Sequence, residues 1–152
     1  MSLRNQIKMT KDEIESFLKE QTSIHVGTIN KNGSPHLTTL WFISNYSSII
    51  FHTYTKSQKI KNLKRDNRIS VISELGSEYG NLKGVMIYGK AEIIYGDTQL
   101  ERVVKVIENV SLKYSNGLVN EDYLDLMKHQ AVKRSAVIIR PTKYISWDHN
   151  KI

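Results

Sequence analysis

Four side chains that could hold an anion lie within seven residues, where an apolar stretch gives way to a helix-forming one. They are Thr53, Thr55, Ser57 and Lys59. The first turn of a helix leaves backbone N–H groups without intrahelical acceptors, so this segment can offer hydroxyls, N–H groups and a cation to one ligand. Ser57 alone could be an ordinary helix N-cap. Because an N-cap requires only one hydroxyl, the accumulation favours a phosphate site.

The composition limits which chemistry such a site can perform. The chain has 152 residues, a formal net charge of +7 and no cysteine. The charge predicts an anionic partner, either nucleic acid, a phosphorylated small molecule or a carboxylate-rich cofactor. The absence of cysteine excludes disulfides, thiolate metal sites and cysteine nucleophiles, so redox chemistry would need a bound organic cofactor or a metal held by other ligands. No His, Asp and Glu spacing is typical of a metal site, so we predict no metal.

The densest basic region coincides with the predicted phosphate site. Beyond Lys59 it continues along the helix and past its end as Lys61, Lys64, Arg65 and Arg68. At helical spacing these four residues would lie largely on an outer face, which is typical of solvated surface. The stretch lacks interleaved exposed aromatic residues, which disfavours nucleic-acid binding.

Length and segment composition predict where the protein resides. No apolar run approaches the roughly 20 residues needed to span a bilayer, and the N-terminus lacks the apolar core of a signal peptide. We therefore expect a cytoplasmic protein without membrane association, folded as a single domain over residues 1–152.

Hydrophobic periodicity divides the chain into strands and helices. The predicted strands cover residues 23–29, 35–44, 49–53, 68–73 and 84–94, followed by two short strands at 136–139 and 144–147 on either side of Pro141. The predicted helices cover residues 11–20, with a capping box from Thr10 to Glu13, about 57–66, 98–115 and 121–130. Turns are expected at 30–33 and 45–48, and a loop at 74–81.

About six strands, mostly joined as hairpins, exceed what a repeating strand–helix–strand unit would supply. A closed or partly split barrel removes exposed strand edges. The sequence therefore predicts a mainly β fold with helices, of the α+β class: a six-stranded antiparallel split β-barrel with Greek-key-like connections. Gly89 lies in the middle of a long strand, where a barrel strand would bend or bulge.

Three segments, in this order and spacing, resemble the pyridoxamine 5′-phosphate oxidase-like superfamily of flavin-binding split barrels. The first is residues 33–42, the second is residues 50–71, and the third is residues 85–92, which end in Gly-Lys-Ala-Glu. The resemblance covers most of the chain. It implies a homodimer in which FMN lies in a cleft between two barrels, with each subunit contributing to both sites.

The resemblance also implies which residues bind the cofactor. One stretch would run beside the isoalloxazine ring and the phosphoribityl chain and contact them largely through backbone groups. It consists of Leu37, Thr38, Thr39, Leu40, Trp41 and Phe42. The pair ending the next strand would be His52 and Thr53, and the short phosphate-binding segment would be Ser57, Gln58 and Lys59. For Trp41, a place in the core or in a subunit interface is the favoured prediction.

Two residues depart from the vitamin-processing enzymes of that superfamily. Gly84 stands where those oxidases carry a flavin-contacting Gln, and Phe42 stands where they carry a Lys that approaches the substrate phosphate. The chain also ends soon after Trp147, without the extension that carries Arg and Trp in those oxidases. The resemblance therefore does not extend to oxidation of pyridoxamine phosphate.

The resulting functional prediction is an FMN-binding oxidoreductase that transfers hydride between the flavin and a small substrate. No catalytic residue is identified, because His36 and His52 lack a suitably spaced carboxylate partner. One alternative keeps the fold and replaces FMN by an 8-hydroxy-5-deazaflavin coenzyme, whose acidic oligoglutamate tail would suit the surplus lysines. Another is a non-catalytic module that binds flavin or haem.

Overall fold

The computed structural model describes residues 1–45, 47–118 and 120–152. The helices are α1 (Leu3–Gln6), α2 (Lys11–Glu20), α3 (Gln58–Arg65), α4 (Leu100–Tyr114) and α5 (Glu121–Gln130). The strands are β1 (Ser23–Ile29), β2 (Pro35–Trp41), β3 (Ile43–Asn45), β4 (Ser48–Tyr54), β5 (Arg68–Leu75), β6 (Lys83–Tyr95) and β7 (Arg134–Asp148). The turn predicted at 45–48 includes Tyr46, which lies outside the described residues. None of the helices in these ranges is long and apolar enough to cross a membrane.

The seven strands form one antiparallel sheet that curls into a barrel. Their order is β2-β1-β5-β6-β7-β4-β3, so the two edge strands, β2 and β3, are consecutive in sequence. Only Phe42 separates them, and its side chain is fully buried. Because the chain passes from one edge of the sheet to the other within a single residue, the two edges must lie side by side. The predicted split-barrel class is confirmed, with seven strands where the sequence predicted six.

The observed strands differ from the predicted segments at two places. The predicted strand at 35–44 is interrupted at Phe42, where the chain changes edges. The two predicted C-terminal strands instead form one strand, β7, because a register shift at Tyr88 and Gly89 accommodates Pro141 opposite Gly89. The irregularity predicted at Gly89 is found at that position, and the extra residue is Thr142 of the partner strand β7.

The predicted loop at 74–81 is shorter than expected. Strand β5 continues to Leu75 because Glu74 and Leu75 pair with Gly84 and Lys83 of β6. Residues Tyr79–Asn81 then form one turn of 3₁₀ helix. The long β6 strand thus extends the pairing beyond the point where the apolar pattern of β5 ends.

Helix α2 begins where its sequence predicts. The Thr10 hydroxyl accepts from the Glu13 N–H at 3.2 Å, and the Glu13 carboxylate accepts from the Thr10 N–H at 2.6 Å. This reciprocal capping box fixes the first turn. The apolar face of the helix, Ile14, Phe17 and Leu18, belongs to the barrel core.

A second apolar cluster lies outside the barrel, between the two C-terminal helices and the sheet. It contains Val103 and Ile107 of α4, Met127 of α5, and Ile94 and Ala136 of the sheet. Burial of these side chains holds α4 and α5 against the outer surface of β6 and β7. This packing places the two helices beside the end of β2.

Candidate functional site

The predicted phosphate site falls at the junction of β4 and α3. Helix α3 is held there by Asn62, a fully buried residue whose amide donates to Thr28 Oγ1 at 3.0 Å and to Asn30 Oδ1 at 2.9 Å. Buried amides require such partners, so these hydrogen bonds fix the helix against the end of β1. Sequence reasoning gave Asn62 no separate role, although a polar residue on the apolar face of a helix was the available signal.

Lys59 is a buried cation without an anionic partner. Its side chain is 8% exposed, and its Nζ donates to Thr53 Oγ1 at 3.2 Å. No carboxylate of the described residues forms an ion pair with Lys59. Burial lowers the pKa of the ammonium. A buried charge is costly unless it is paired, so an anion at this position would stabilise the site.

Ser57 precedes the first turn of α3 but does not cap it. Its hydroxyl makes no capping hydrogen bond, and Oγ is buried without any partner. The interpretation of Ser57 as an ordinary N-cap is therefore wrong. An unpaired hydroxyl lies next to first-turn N–H groups that also lack intrahelical acceptors, and this is the arrangement that an anion can satisfy.

The other two members of the predicted segment already have partners. Thr55 Oγ1 is hydrogen-bonded to Ser135 Oγ at 2.8 Å, and the exposed Gln58 donates to Asn62 Oδ1 at 2.8 Å. These bonds join the β4–α3 connection to β7 and to the helix itself. Thr55 and Gln58 thus position the segment. The hydroxyl of Ser57 and the charge of Lys59, in contrast, could still interact with a ligand.

Strand β2 offers an accessible edge beside this site. None of its residues is buried, and it pairs with β1 on one side only. Across the split in the barrel it lies close to β4 without pairing with it. Thr38 Oγ1 is buried there without a partner, while Leu40 packs on the core. The free backbone edge of β2 can therefore bond a ligand, as the predicted role of residues 37–42 requires.

The last two residues of that predicted set occupy different environments. The Phe42 side chain fills the core with Lys113 Nζ 3.8 Å from its ring centroid, so only its backbone could reach a ligand. Trp41 is 42% exposed and stacks on Tyr114 of α4 at an interplanar angle of 17°. The prediction that Trp41 belongs to the core is wrong, and its alternative, a subunit interface, remains a prediction.

His52 lies on the outer face of β4 in contact with Arg134 of β7. Arg134 Nη1 and His52 Nδ1 are 3.2 Å apart. Burial, together with the nearby guanidinium, lowers the pKa of His52 to about 4. The imidazole is therefore neutral at pH 7, and because Nδ1 accepts from Arg134, Nε2 carries the proton. His52 can donate a hydrogen bond from Nε2, and its lowered pKa makes it a weak proton acceptor at neutral pH.

The depressed pKa of His52 predicts a loss of stability in acid. Above pH 6.5 the residue is neutral in both states, whereas between pH 6.5 and about 4 only the unfolded chain takes up the proton. The folded state should lose up to about 3 kcal/mol over this window. His52→Asn keeps a hydrogen-bond acceptor near the Nδ1 position but does not titrate in this range. Its free energy of unfolding, measured with urea at several pH values, should therefore not show this loss.

The exposed His25 provides the matched control for that measurement. His25→Asn should follow the pH dependence of the unsubstituted protein. If the His52→Asn curve runs parallel to both, the pKa of His52 is not depressed by the fold.

One cavity unites several predicted site residues with others that the sequence did not indicate. It has a volume of about 320 Å³ and lies between β2, β4 and the two C-terminal helices. Its lining comprises the predicted Thr39, Leu40, Trp41 and His52 together with Val110, Ser111, Tyr123, Met127 and Arg134. No local motif marks Arg134, which meets His52 only because β4 and β7 are paired.

Two predicted residues lie elsewhere. Leu37 lines a separate depression of about 520 Å³ with Arg68, Tyr88 and Lys90. Gln58 lines a shallow depression near the β1–β2 turn, beside Asn30 and His36. The structure thus places most of the predicted residues at the β4–α3 junction or around the β2–β4 cavity, with Leu37 outside both and Gln58 also facing the depression near the β1–β2 turn.

The departure at Gly84 has a structural reason. A Cβ atom at this position would overlap the indole ring of Trp147, which pairs with Gly84 across β6 and β7. Trp147 therefore occupies the space that a side chain at residue 84 would need. A Gln cannot be accommodated there while Trp147 keeps its position.

Comparisons with known proteins agree with this architecture. The family model described as pyridoxamine 5′-phosphate oxidase matches residues 10–147. No curated protein matches the chain. Among solved structures, the conserved hypothetical protein Rv2991 from Mycobacterium tuberculosis is 34% identical with a TM-score of 0.86, over 99% of this chain and 92% of that one.

Two more distant structures share the fold. An F420 reductase is 21% identical with a TM-score of 0.65, over 86% of this chain and 94% of its own. HutZ, the haem storage protein from Vibrio cholerae, is 16% identical with a TM-score of 0.68, over 89% and 93% of the two chains.

Proposed function

The chain belongs to the pyridoxamine 5′-phosphate oxidase family, a flavin-binding family, and on that premise we propose that it is an FMN-dependent oxidoreductase acting on a small substrate. One observation carries the proposal. At the start of α3, among the described residues, the buried ammonium of Lys59 has no anionic partner and the buried hydroxyl of Ser57 has no hydrogen-bond partner. A phosphate would satisfy both groups at once.

The unsatisfied groups fit the phosphate and polar chain of a flavin mononucleotide. Lys59 and Ser57 would hold the phosphate together with the first-turn N–H groups of α3. Thr38 Oγ1, also buried and unpaired, lies on β2, the strand proposed to run beside the flavin. Riboflavin, which lacks the phosphate, would leave Lys59 uncompensated, so the site should select the phosphorylated form.

The remaining residues would orient the ring and exclude water. The unpaired edge of β2 presents backbone N–H and C=O groups over residues 38–41, and neutral His52 offers a donor from Nε2. When bound, FMN supplies hydride transfer at its central ring, so the protein needs no dedicated acid and base. This agrees with the neutral state of His52 at pH 7.

We further propose that two copies of the chain complete the site. Large apolar side chains are exposed on the outer face of the sheet, among them Leu37 at 72% and Tyr88 at 40%. Leu37 and Tyr88 line the same depression. Association of two barrels through this face would cover these side chains and place β2 at the junction of the subunits.

An 8-hydroxy-5-deazaflavin coenzyme is the competing cofactor. The exposed lysines around α3, Lys56, Lys61 and Lys64, would suit an acidic tail, and the fold is shared with an F420 reductase. Exposed charges contribute weakly and in a salt-dependent manner, however, whereas the buried Lys59 favours a compact phosphate.

Sedimentation velocity with detection at the protein and flavin bands tests the proposed function. The purified protein, stripped of bound ligand, is mixed separately with FMN, the deazaflavin and haem. We expect a dimer that carries two FMN molecules, with FMN bound more tightly than either competitor. Colourless protein that binds neither flavin would refute the oxidoreductase proposal, and a flavin-loaded monomer would refute the shared site.

A further inference from the structure

The cavity between β2, β4, α4 and α5 has the lining of a binding site for an amphipathic molecule. Its apolar walls are Leu40, Trp41, Val110 and Met127, and its hydroxyls are Thr39, Ser111 and Tyr123. Arg134 is the cation of the lining, and the lining contains no carboxylate. A volume of about 320 Å³ is at the lower end of the range for small-molecule sites.

Neighbouring residues hold the guanidinium of Arg134 in place. The Arg134 Cζ lies 4.2 Å from the ring centroid of Tyr54, directly across the β4–β7 pair. The Tyr54 hydroxyl in turn donates to Gln130 Oε1 at 3.2 Å. The cation–π contact and backbone pairing thus position the cation before any ligand arrives, which lowers the entropic cost of binding.

The donors of Arg134 are only partly used. Nη1 contacts His52 Nδ1, whereas Nε is buried without an acceptor. None of the ion pairs among the described residues includes Arg134. The donors left over, Nε and Nη2, share one edge of the guanidinium, and their spacing matches the two oxygens of a carboxylate.

We propose that this cavity binds a small organic acid with an apolar or aromatic body, its carboxylate held by the Nε and Nη2 edge of Arg134. The apolar walls would cover the body of the acid, and Ser111 and Tyr123 would bond its polar substituents. Assignment of this acid as the substrate rests on the proposed FMN-dependent function, since the cavity shares Thr39, Leu40 and Trp41 with the strand proposed to hold the ring. Binding of the acid itself does not depend on that function.

Titration of ¹⁵N-labelled protein with benzoate, and with its neutral isostere benzamide, tests the proposal. The chain has two tryptophans, whose indole N–H signals report separately. Trp41 lines the cavity, whereas Trp147 packs against Gly84 and serves as an internal control. We expect benzoate to bind at least about tenfold more tightly than benzamide and to shift the Trp41 signal alone.

Arg134→Gln should remove the preference for benzoate. Arg140→Gln is the matched control, because Arg140 lies on the same strand, is exposed and pairs with Glu92 at 2.8 Å. It should keep the full preference. Arg134→Lys retains the charge without the two-donor edge, and we expect it to lower the preference at least about threefold even if the Gln variant fails to fold.

Several results would overturn the proposal: no binding of benzoate, equal binding of benzoate and benzamide, a response at Trp147 alone, or a preference that survives both Arg134 substitutions. FMN titration of the same samples keeps the two proposals separate. Binding of benzoate without FMN would refute the FMN proposal and support the Arg134 site. Binding of FMN without benzoate would refute the Arg134 site alone.

Discussion

Lys59→Met is expected to weaken FMN binding by roughly 100-fold and riboflavin binding by less than about threefold. The substitution keeps the length and apolar stem of the side chain and removes the charge together with the hydrogen bond to Thr53 Oγ1. Because Lys59 is 8% exposed, its attraction for a phosphate is poorly screened by water and salt. Quenching of flavin fluorescence during titration gives both affinities on the same sample.

Lys61→Met is the control, since Lys61 lies two residues along the same helix and is exposed. Its FMN affinity should change by no more than about threefold. Apo Lys59→Met should unfold no more easily than the unsubstituted protein, because it loses an unpaired buried charge. Equal losses for FMN and riboflavin would mean that Lys59 does not contact the phosphate.

Gly84→Ala is expected to destabilise the protein by about 3 kcal/mol. The added methyl group would overlap the Trp147 indole and lie 3.0 Å from the Cβ atom of Glu74, so β6 has no room for it. In a Trp147→Ala background the same methyl group should cost less than about 1 kcal/mol. Urea unfolding of the four proteins in this double-mutant cycle measures the coupling.

Gly80→Ala provides the comparison for that cycle, because no atom lies within 4 Å of the added Cβ. It should change the free energy of unfolding by no more than about 0.5 kcal/mol. If Gly84→Ala costs the same with and without Trp147, the indole is not what excludes a side chain from residue 84.

Local patterns determined most elements of the fold in advance. Helix α2 begins at its predicted residue because the capping box acts within one turn, and α5 has the predicted bounds, Glu121–Gln130. The wrong strand boundaries lie where pairing with strands distant in the sequence determines the structure. Pro141 does not end β7 because a bulge at Thr142 of β7 accommodates it opposite Gly89, and the break at Phe42 depends on which edge each neighbouring strand joins. Neither fact is present in the nearby sequence.

The candidate site likewise contains residues that local sequence predicted and residues that only the fold brings together. Ser57 and Lys59 were predictable because strand, hydroxyls, cation and helix follow one another in the chain. Arg134 was not, because it lies 82 residues from His52 and acquires its contacts only through pairing of β4 with β7. The unpaired state of Ser57 Oγ likewise emerged only from the structure, since the sequence also allows an ordinary N-cap.

The strand order also has a consequence for how the chain reaches its folded state. Among the described strands, β7 alone bridges the group β2-β1-β5-β6 and the pair β4-β3 through hydrogen bonds, yet it is the last of the seven in the sequence. On the ribosome, β4 and β6 must therefore wait with unpaired edges until residues 134–148 emerge. During that interval the nascent chain is open to pairing with other chains, and Arg134 of β7 has not yet joined His52 of β4 in the lining of the β2–β4 cavity. Binding that depends on Arg134 can thus begin only after residues 134–148 have been synthesised.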